Sequence, residues 1–152
     1  MGHFTFLKPG PLTDGEVQLV LVYERPGDPL VGRVPSYVFD IARRAGRVVV
    51  GRIEFRVGNT CHVTKYAGHI GYRVEPGYRG NRYAARACRL LLPLARRHGF
   101  QTLWITCDPT NLASRRTCEL AGATLVEIID LPKHTDMYRW GERQKCRYRL
   151  DL

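Results

Sequence analysis

The sequence predicts one α/β domain in which several antiparallel strands are followed by a helical crossover and then by further strands. Three observations carry this. Apolar and polar residues alternate through much of the first half. The period becomes helical between Tyr83 and His98. Short apolar runs return after Gly99, and no internal repeat, low-complexity tract or linker interrupts the 152 residues. That length suits a single domain, residues 1–152, around one core.

The N-terminal third is punctuated by Pro9, Pro11, Pro26, Pro29 and Pro35. Between these breakers, Glu16 to Glu24 and Pro35 to Arg43 are rich in β-branched and aromatic residues and read as strands. A helical reading of the first, capped by Asp14, stays open. Arg47 to Gly58 is a stronger strand, because Ile53, Phe55 and Val57 alternate with Arg52, Glu54 and Arg56. A turn region from Asn59 then feeds a fourth strand, "HIGYRVEP", which Pro76 ends. From Tyr83 to His98, apolar residues at Ala84, Ala87, Cys88, Leu91, Leu94 and Ala95 oppose Arg82, Arg86 and Arg89. This is an amphipathic helix, stopped at Gly99 and expected to kink at Pro93. "FQTLWITCDP" is a fifth strand. "NLASRRTCELAGA" is a second helix with Asn111 as candidate N-cap. "TLVEIIDLP" and "KCRYRLDL" close the chain as two strands.

Composition narrows the class. Hydrophobic content of 44% with 25% charged residues is that of a soluble globular protein. No run of apolar residues is long enough for a membrane span, and "MGHFTFLKPGPLTDGE" lacks the pattern of a secretory signal. Cys61, Cys88, Cys107, Cys118 and Cys146 form no Cys-x-x-Cys pair, so neither a zinc site nor a disulfide framework is expected. Reduced thiols place the protein in the cytoplasm. The formal net charge of +10 attracts polyanions without saying which. A basic nucleic-acid-binding domain is therefore one reading, but no recognised binding motif accompanies the charge, and a nucleic-acid partner is not expected.

The segment joining the fourth strand to the first helix carries the most chemistry. Arg79-Gly80-Asn81-Arg82-Tyr83-Ala84 places two guanidinium groups and a glycine where a helix begins. A helix N-terminus leaves amides unpaired and partial positive charge exposed, which is a seat for an anion. Gly80 lets a ligand approach the backbone, and Ala84 is small enough for it to lie across the first turn. The plain alternative is a strand-to-helix turn with surface arginines.

Two motifs in register resemble the GCN5-related N-acetyltransferase (GNAT) superfamily. Val74-Glu75-Pro76 followed by Arg79-Gly80-Asn81-Arg82-Tyr83-Ala84 matches its strand-ending Val-x-Pro and its Arg/Gln-x-x-Gly-x-Gly/Ala loop. Asn111-Leu112-Ala113-Ser114, then Cys118 and Gly122, matches its Asn-x-x-Ala/Ser landmark after the next strand. The resemblance covers Arg47 to the C-terminus. It implies a GNAT-like mixed, mostly antiparallel sheet of six to seven strands, flanked by helices, whose fourth and fifth strands splay into a V. It implies acetyl-CoA in that V as co-substrate, with no metal. Its pyrophosphate would rest on the amides of Arg79, Gly80, Asn81, Arg82, Tyr83 and Ala84. Its pantetheine arm would pair with the backbone at Tyr72 and Val74 and touch Asn111 and Ser114, with Asn111 also reading as a cap. The amide near Tyr72 would face the thioester oxygen.

The implied activity is direct acetyl transfer to an amine on a small molecule or peptide. Coenzyme A binding without catalysis is the alternative, and a homodimer stands open. Three positions depart from the family. Arg82 replaces the middle glycine, so its amide serves the phosphate only if the backbone stays helical there. Cys118 stands where many members have a tyrosine that protonates the departing thiolate; a thiol could do this in principle, but Cys118 reads first as a small buried core residue. Gly68 falls where some members carry a glutamate base. Candidate bases are then Glu54, His69 (only if a bulge turns it inward) and Asp108, each of which also reads as surface or hydrogen-bonded structure. Tyr37, Phe39, Asp40, Tyr138 and Trp140 are expected to line the acceptor pocket, and Tyr138 and Tyr148 stand as further proton donors.

Overall fold

A computed structural model describes residues 4–152. Strands β1 (Val17–Arg25), β2 (Ser36–Arg43), β3 (Val48–Arg56) and β4 (Ile70–Val74) form a sheet in the order β1-β2-β3-β4, each pair antiparallel. Helices α1 (Tyr83–Leu90) and α2 (Leu92–Arg97) follow, then β5 (Thr102–Cys107), helix α3 (Leu112–Leu120), β6 (Thr124–Asp130), the short α4 (Asp136–Arg139) and β7 (Gln144–Asp151). The last three strands form a second antiparallel sheet in the order β5-β7-β6. The expected α/β architecture of seven mostly antiparallel strands flanked by helices is present, with the strands divided into two sheets between β4 and β5 where one splayed sheet was expected.

The N-terminal run is a strand, not a helix. The Asp14 carboxylate accepts from the amides of Glu16 and Val17, then takes Arg86 of α1 at 2.8 Å, which ties the start of β1 to the first helix. Those donors hold the Asp14 carboxyl at about 2, against the opposing effect of partial burial. The predicted long helix arrives as two. Leu91 separates α1 from α2, and Pro93 takes an early position in α2. A proline ring removes its own amide and crowds the carbonyl one turn earlier, so the interruption precedes Pro93 instead of falling on it.

The core lies between the four-stranded sheet and α1–α2 and continues under the second sheet. Ile53, Phe55 and Ile70 from the sheet meet Leu91, Leu94 and Ile105, all at most 1% exposed. Each such side chain contributes about 1.5–3 kcal/mol by leaving water. Tyr37 and Phe39 belong to this core, at 0% and 1% exposure. They do not line a pocket, because their face of β2 is packed into the core. The Tyr37 hydroxyl is spent on Leu7 and on His98 Nε2 at 2.7 Å. Asp40 sits 3.4 Å from Arg52 across the β2–β3 ladder. Among the described residues, no helix is long and apolar enough to cross a membrane.

Candidate active site

The two sheets meet where β4 begins. The His69 amide donates to the Trp104 carbonyl at 2.7 Å, and the Trp104 amide donates to His69 Nδ1 at 2.9 Å. The other ring nitrogen, Nε2, is 2.8 Å from Asn59 Oδ1. The imidazole is fully buried, and burial pulls its pKa down to about 4. His69, just before β4, is thus a neutral clamp to β5 with both nitrogens in use, which leaves neither free to act as the candidate base. Gly68 precedes it at φ +77°, where a Cβ would come within 3.0 Å of the Trp104 carbonyl. A glutamate at this position would force the sheets apart.

A depressed histidine pKa has a stability consequence. Below pH 6.5 the unfolded chain takes up a proton that the folded one refuses until about pH 4. Stability is therefore complete above the unfolded value and falls as pH drops through this window, by roughly 3 kcal/mol from this group. Urea unfolding at pH 7.5 and pH 4.5 should show a smaller loss for His69→Gln than for the wild type. Equal losses would mean that His69 titrates normally in the fold.

Beyond this clamp, β4, α1 and α3 enclose a groove of about 540 Å³. Tyr72 and Val74 of β4, Gly80 and Arg82 of the loop, Ala84 of α1 and Ser114 of α3 line it, with Arg79, Tyr83 and Asn111. Nine of the ten predicted cofactor residues therefore meet at one groove. Asn81 does not line it. Its side-chain amide donates to the Tyr78 carbonyl at 3.0 Å and closes the turn. Arg79 folds back to donate to the Val74 carbonyl at 3.0 Å. Asn111 Oδ1 accepts from the Ser114 amide at 3.1 Å and so caps α3.

The backbone at Arg82 is not helical. It lies in the left-handed region (φ 62°, ψ 20°), and no side chain caps α1. A non-glycine residue there costs about 1–2 kcal/mol. This explains why a glycine suits the position in the GNAT loop pattern, and it leaves the first amides of α1 facing the groove uncovered. Gly80, at φ +88°, has open space where a Cβ would project.

Tyr72 extends its phenol from β4 to α3. Its Oη lies 2.6 Å from Ser114 Oγ, 3.3 Å from the Ser114 carbonyl and 3.9 Å from Cys118 Sγ. Burial, reinforced by the thiols of Cys118 and Cys88, raises its pKa and keeps the phenol protonated. Cys118 itself is fully buried. Its thiol is pushed up by the hydrogen bond with Cys107 and then by burial, and it does not line the groove. The hydroxyl beside Cys118 is that of Tyr72, a residue of the groove lining whose side chain gave no sign of this in the sequence. Tyr148 is buried with its hydroxyl on Arg115 at 3.1 Å. Tyr138 is covered by the Arg143 guanidinium at 3.9 Å.

A second groove, of about 520 Å³, includes Glu54, Arg56, Arg33, Lys145, Met137 and Trp140 in its lining. Glu54 pairs across the ladder with Gly71, and its neighbour Ile53 pairs with Tyr72. Successive residues of a strand point to opposite faces. Glu54 and Ile53 therefore face opposite ways, which puts the two grooves on opposite faces of the sheet, with the Arg56 guanidinium lying over Gly71 on the side of the second groove. Arg56 Nε holds Glu54 Oε1 at 3.1 Å. Asp108 is elsewhere, closing a turn by accepting from the Thr110 amide and hydroxyl at 2.8 and 2.6 Å, bonds that lower its pKa. Among the described residues, no cluster of histidine, cysteine, aspartate and glutamate is placed to hold a metal ion.

A family model described as an acetyltransferase (GNAT) domain matches residues 6–124. No curated protein matches the chain in sequence. Among solved structures, a GNAT-family acetyltransferase from Bacillus anthracis is similar at 20% identity and a TM-score of 0.58, covering 75% of this chain and 65% of its own. The microcin C7 self-immunity acetyltransferase MccE, in complex with acetyl-CoA and AMP, is similar at 16% identity and TM-score 0.60, with coverages of 77% and 61%. A probable acetyltransferase of the GNAT family from Chromobacterium violaceum ATCC 12472 gives 14% identity and TM-score 0.67 over 99% of this chain and 90% of its own. The chain thus spans less than two thirds of the first two, and at these identities the likeness speaks for the fold.

Proposed function

The chain belongs to the GNAT acetyltransferase family, and from that premise we propose that it transfers an acetyl group from acetyl-CoA directly to an amine. The observation that carries this reading is the first groove, where an uncapped helix start, an open Gly80 and the arginines at 79 and 82 converge beside a free strand edge. These residues fit a phosphorylated co-substrate. The amides at the start of α1 and the loop guanidinium groups bind the pyrophosphate. Only β3 pairs with β4 in its sheet, so the other edge of β4 at Tyr72 and Val74 can pair with the pantetheine amides. Asn111 and Ser114 contact the same arm from α3. MccE, of the same fold, was solved with acetyl-CoA.

The chemistry needs a neutral amine, a polarised carbonyl and a proton for the leaving thiolate. The amine nitrogen attacks the thioester carbon, the carbon–sulfur bond breaks, and an amide forms. In this reading the Tyr72 amide stabilises charge on the carbonyl oxygen. The Tyr72 phenol, held protonated by burial, donates to the thiolate as it departs and regains its proton from solvent once coenzyme A leaves. Glu54 takes the amine proton from the second groove, directly or through water.

Acetyl-CoA is expected to stabilise the protein by about 2.7 kcal/mol at a hundredfold excess over its dissociation constant. Thermal unfolding with and without acetyl-CoA measures this. No shift at millimolar acetyl-CoA would remove the reading.

A further inference from the structure

The second groove carries information on the acceptor. Four cationic side chains line it, Arg25, Arg33, Arg56 and Lys145, against two carboxylates, Glu54 and Asp136. Their pairings are uneven. Glu54 is held by Arg56, Asp136 lies 3.8 Å from Arg139, and Lys145 reaches Glu142 at 3.0 Å. No carboxylate among the described residues pairs with Arg25 or Arg33. Arg33 uses only its Nε, on the Pro26 carbonyl at 3.1 Å, so the rest of its guanidinium is available. Two uncompensated arginines therefore stand at the groove's β1–β2 end, and Glu54 sits at the end next to Gly71.

The rim is apolar. Leu30 and Val31, in the turn between β1 and β2, are 95% and 71% exposed, and Trp140, after α4, is 78% exposed. With Leu112, these are the most exposed large hydrophobic residues described. Val31 and Trp140 line the groove itself. A small polar amine would leave such surface wet, whereas a peptide crossing the rim covers it.

We propose that the second groove receives the amino terminus of an acidic peptide. Its α-amine faces Glu54 and the Gly71–Tyr72 step, and acidic side chains a few residues along it pair with Arg25 and Arg33. This rests on the reading of the first groove as the acetyl-CoA site. The overall charge of +10 is not the argument, since it is spread over the whole chain. The argument is the local excess of unpaired arginine on the face opposite the co-substrate.

The test uses the full chain with acetyl-CoA and three peptides of equal length. They share the same free N-terminal residue and carry aspartate and glutamate, asparagine and glutamine, or lysine and arginine after it. Free glutamate is a fourth acceptor. Release of coenzyme A gives kcat and KM. The acidic peptide is expected to lead the neutral one by about tenfold or more in kcat/KM, chiefly through KM, as two partly exposed ion pairs allow. Arg25→Glu/Arg33→Glu, at one exposed and one half-buried position, should raise KM for the acidic peptide and lower it for the basic one. Equal kcat/KM across the peptides, a lead for the basic peptide, acetylation of none, or free glutamate outrunning all of them overturns the proposal. Acetyl-CoA thermal shift is recorded on the same samples. A normal shift with no charge preference removes only the acceptor assignment, whereas an absent shift removes the co-substrate reading on which it rests.

Discussion

Tyr72→Phe is expected to lower kcat on the order of 10²–10⁴-fold, the range for losing a positioned general acid, while the protein still folds. The substitution removes one oxygen. In the folded protein that oxygen is 2.6 Å from Ser114 Oγ and 3.9 Å from Cys118 Sγ. Losing a hydroxyl–hydroxyl bond of this kind costs about 1 kcal/mol, or roughly 2–4 °C in melting temperature for a chain of this size. Phenylalanine keeps the ring packed against the core and leaves the backbone amide in place. A large kcat loss with a small melting shift therefore reports the proton and not the scaffold. Cys118→Ser supplies the contrast. Its thiol is fully buried and its proton is held tightly, so kcat should stay within a few-fold. A Tyr72→Phe enzyme with near wild-type kcat, or a Cys118→Ser enzyme that melts normally and is inactive, would reverse the assignment.

The strands were legible because their chemistry is local. Ile53 and Phe55 alternate with Arg52, Glu54 and Arg56, and they occupy opposite faces of β3 as the pleat requires. The loop from Arg79 to Ala84 was legible as an anion seat because helix starts have fixed electrostatics. What failed to show depends on contacts far apart in sequence. The family resemblance puts Tyr37 and Phe39 in the pocket, but their face of β2 packs into the core. The imidazole of His69 could be placed only once Asn59 and Trp104 were known to sit on either side of it. The phenol of Tyr72 meets a helix 42 positions away, and a lone tyrosine in a strand gives no sign of where its hydroxyl ends. Arg82 is a different case. Its left-handed backbone was hidden because arginine does not ordinarily adopt it, and the loop imposes it nonetheless.

Gly80→Asp should weaken acetyl-CoA binding by about a hundredfold or more, far beyond any effect of Arg96→Ala. Two costs combine. The left-handed backbone at φ +88° penalises a side chain by about 1–2 kcal/mol, though aspartate tolerates this region better than most residues. The larger cost is electrostatic. Apart from its own chain neighbours, no protein atom lies within 4 Å of a Cβ at this groove-lining position, so the new carboxylate has room among the amides and guanidinium groups assigned to the pyrophosphate. It then satisfies the seat itself and repels the incoming phosphates. Gly80→Asn separates the two costs, because asparagine matches aspartate in shape and in tolerance of the left-handed region but carries no charge. The expected order of dissociation constants, by calorimetric titration with acetyl-CoA, is wild type and Arg96→Ala together, then Gly80→Asn, then Gly80→Asp. Arg96 is exposed in the last turn of α2, away from the groove. Raised salt should narrow the gap between Gly80→Asp and Gly80→Asn, since screening weakens charge and leaves backbone strain untouched. Equal dissociation constants for Gly80→Asp and Arg96→Ala would show that the phosphates rest somewhere other than the loop between β4 and α1.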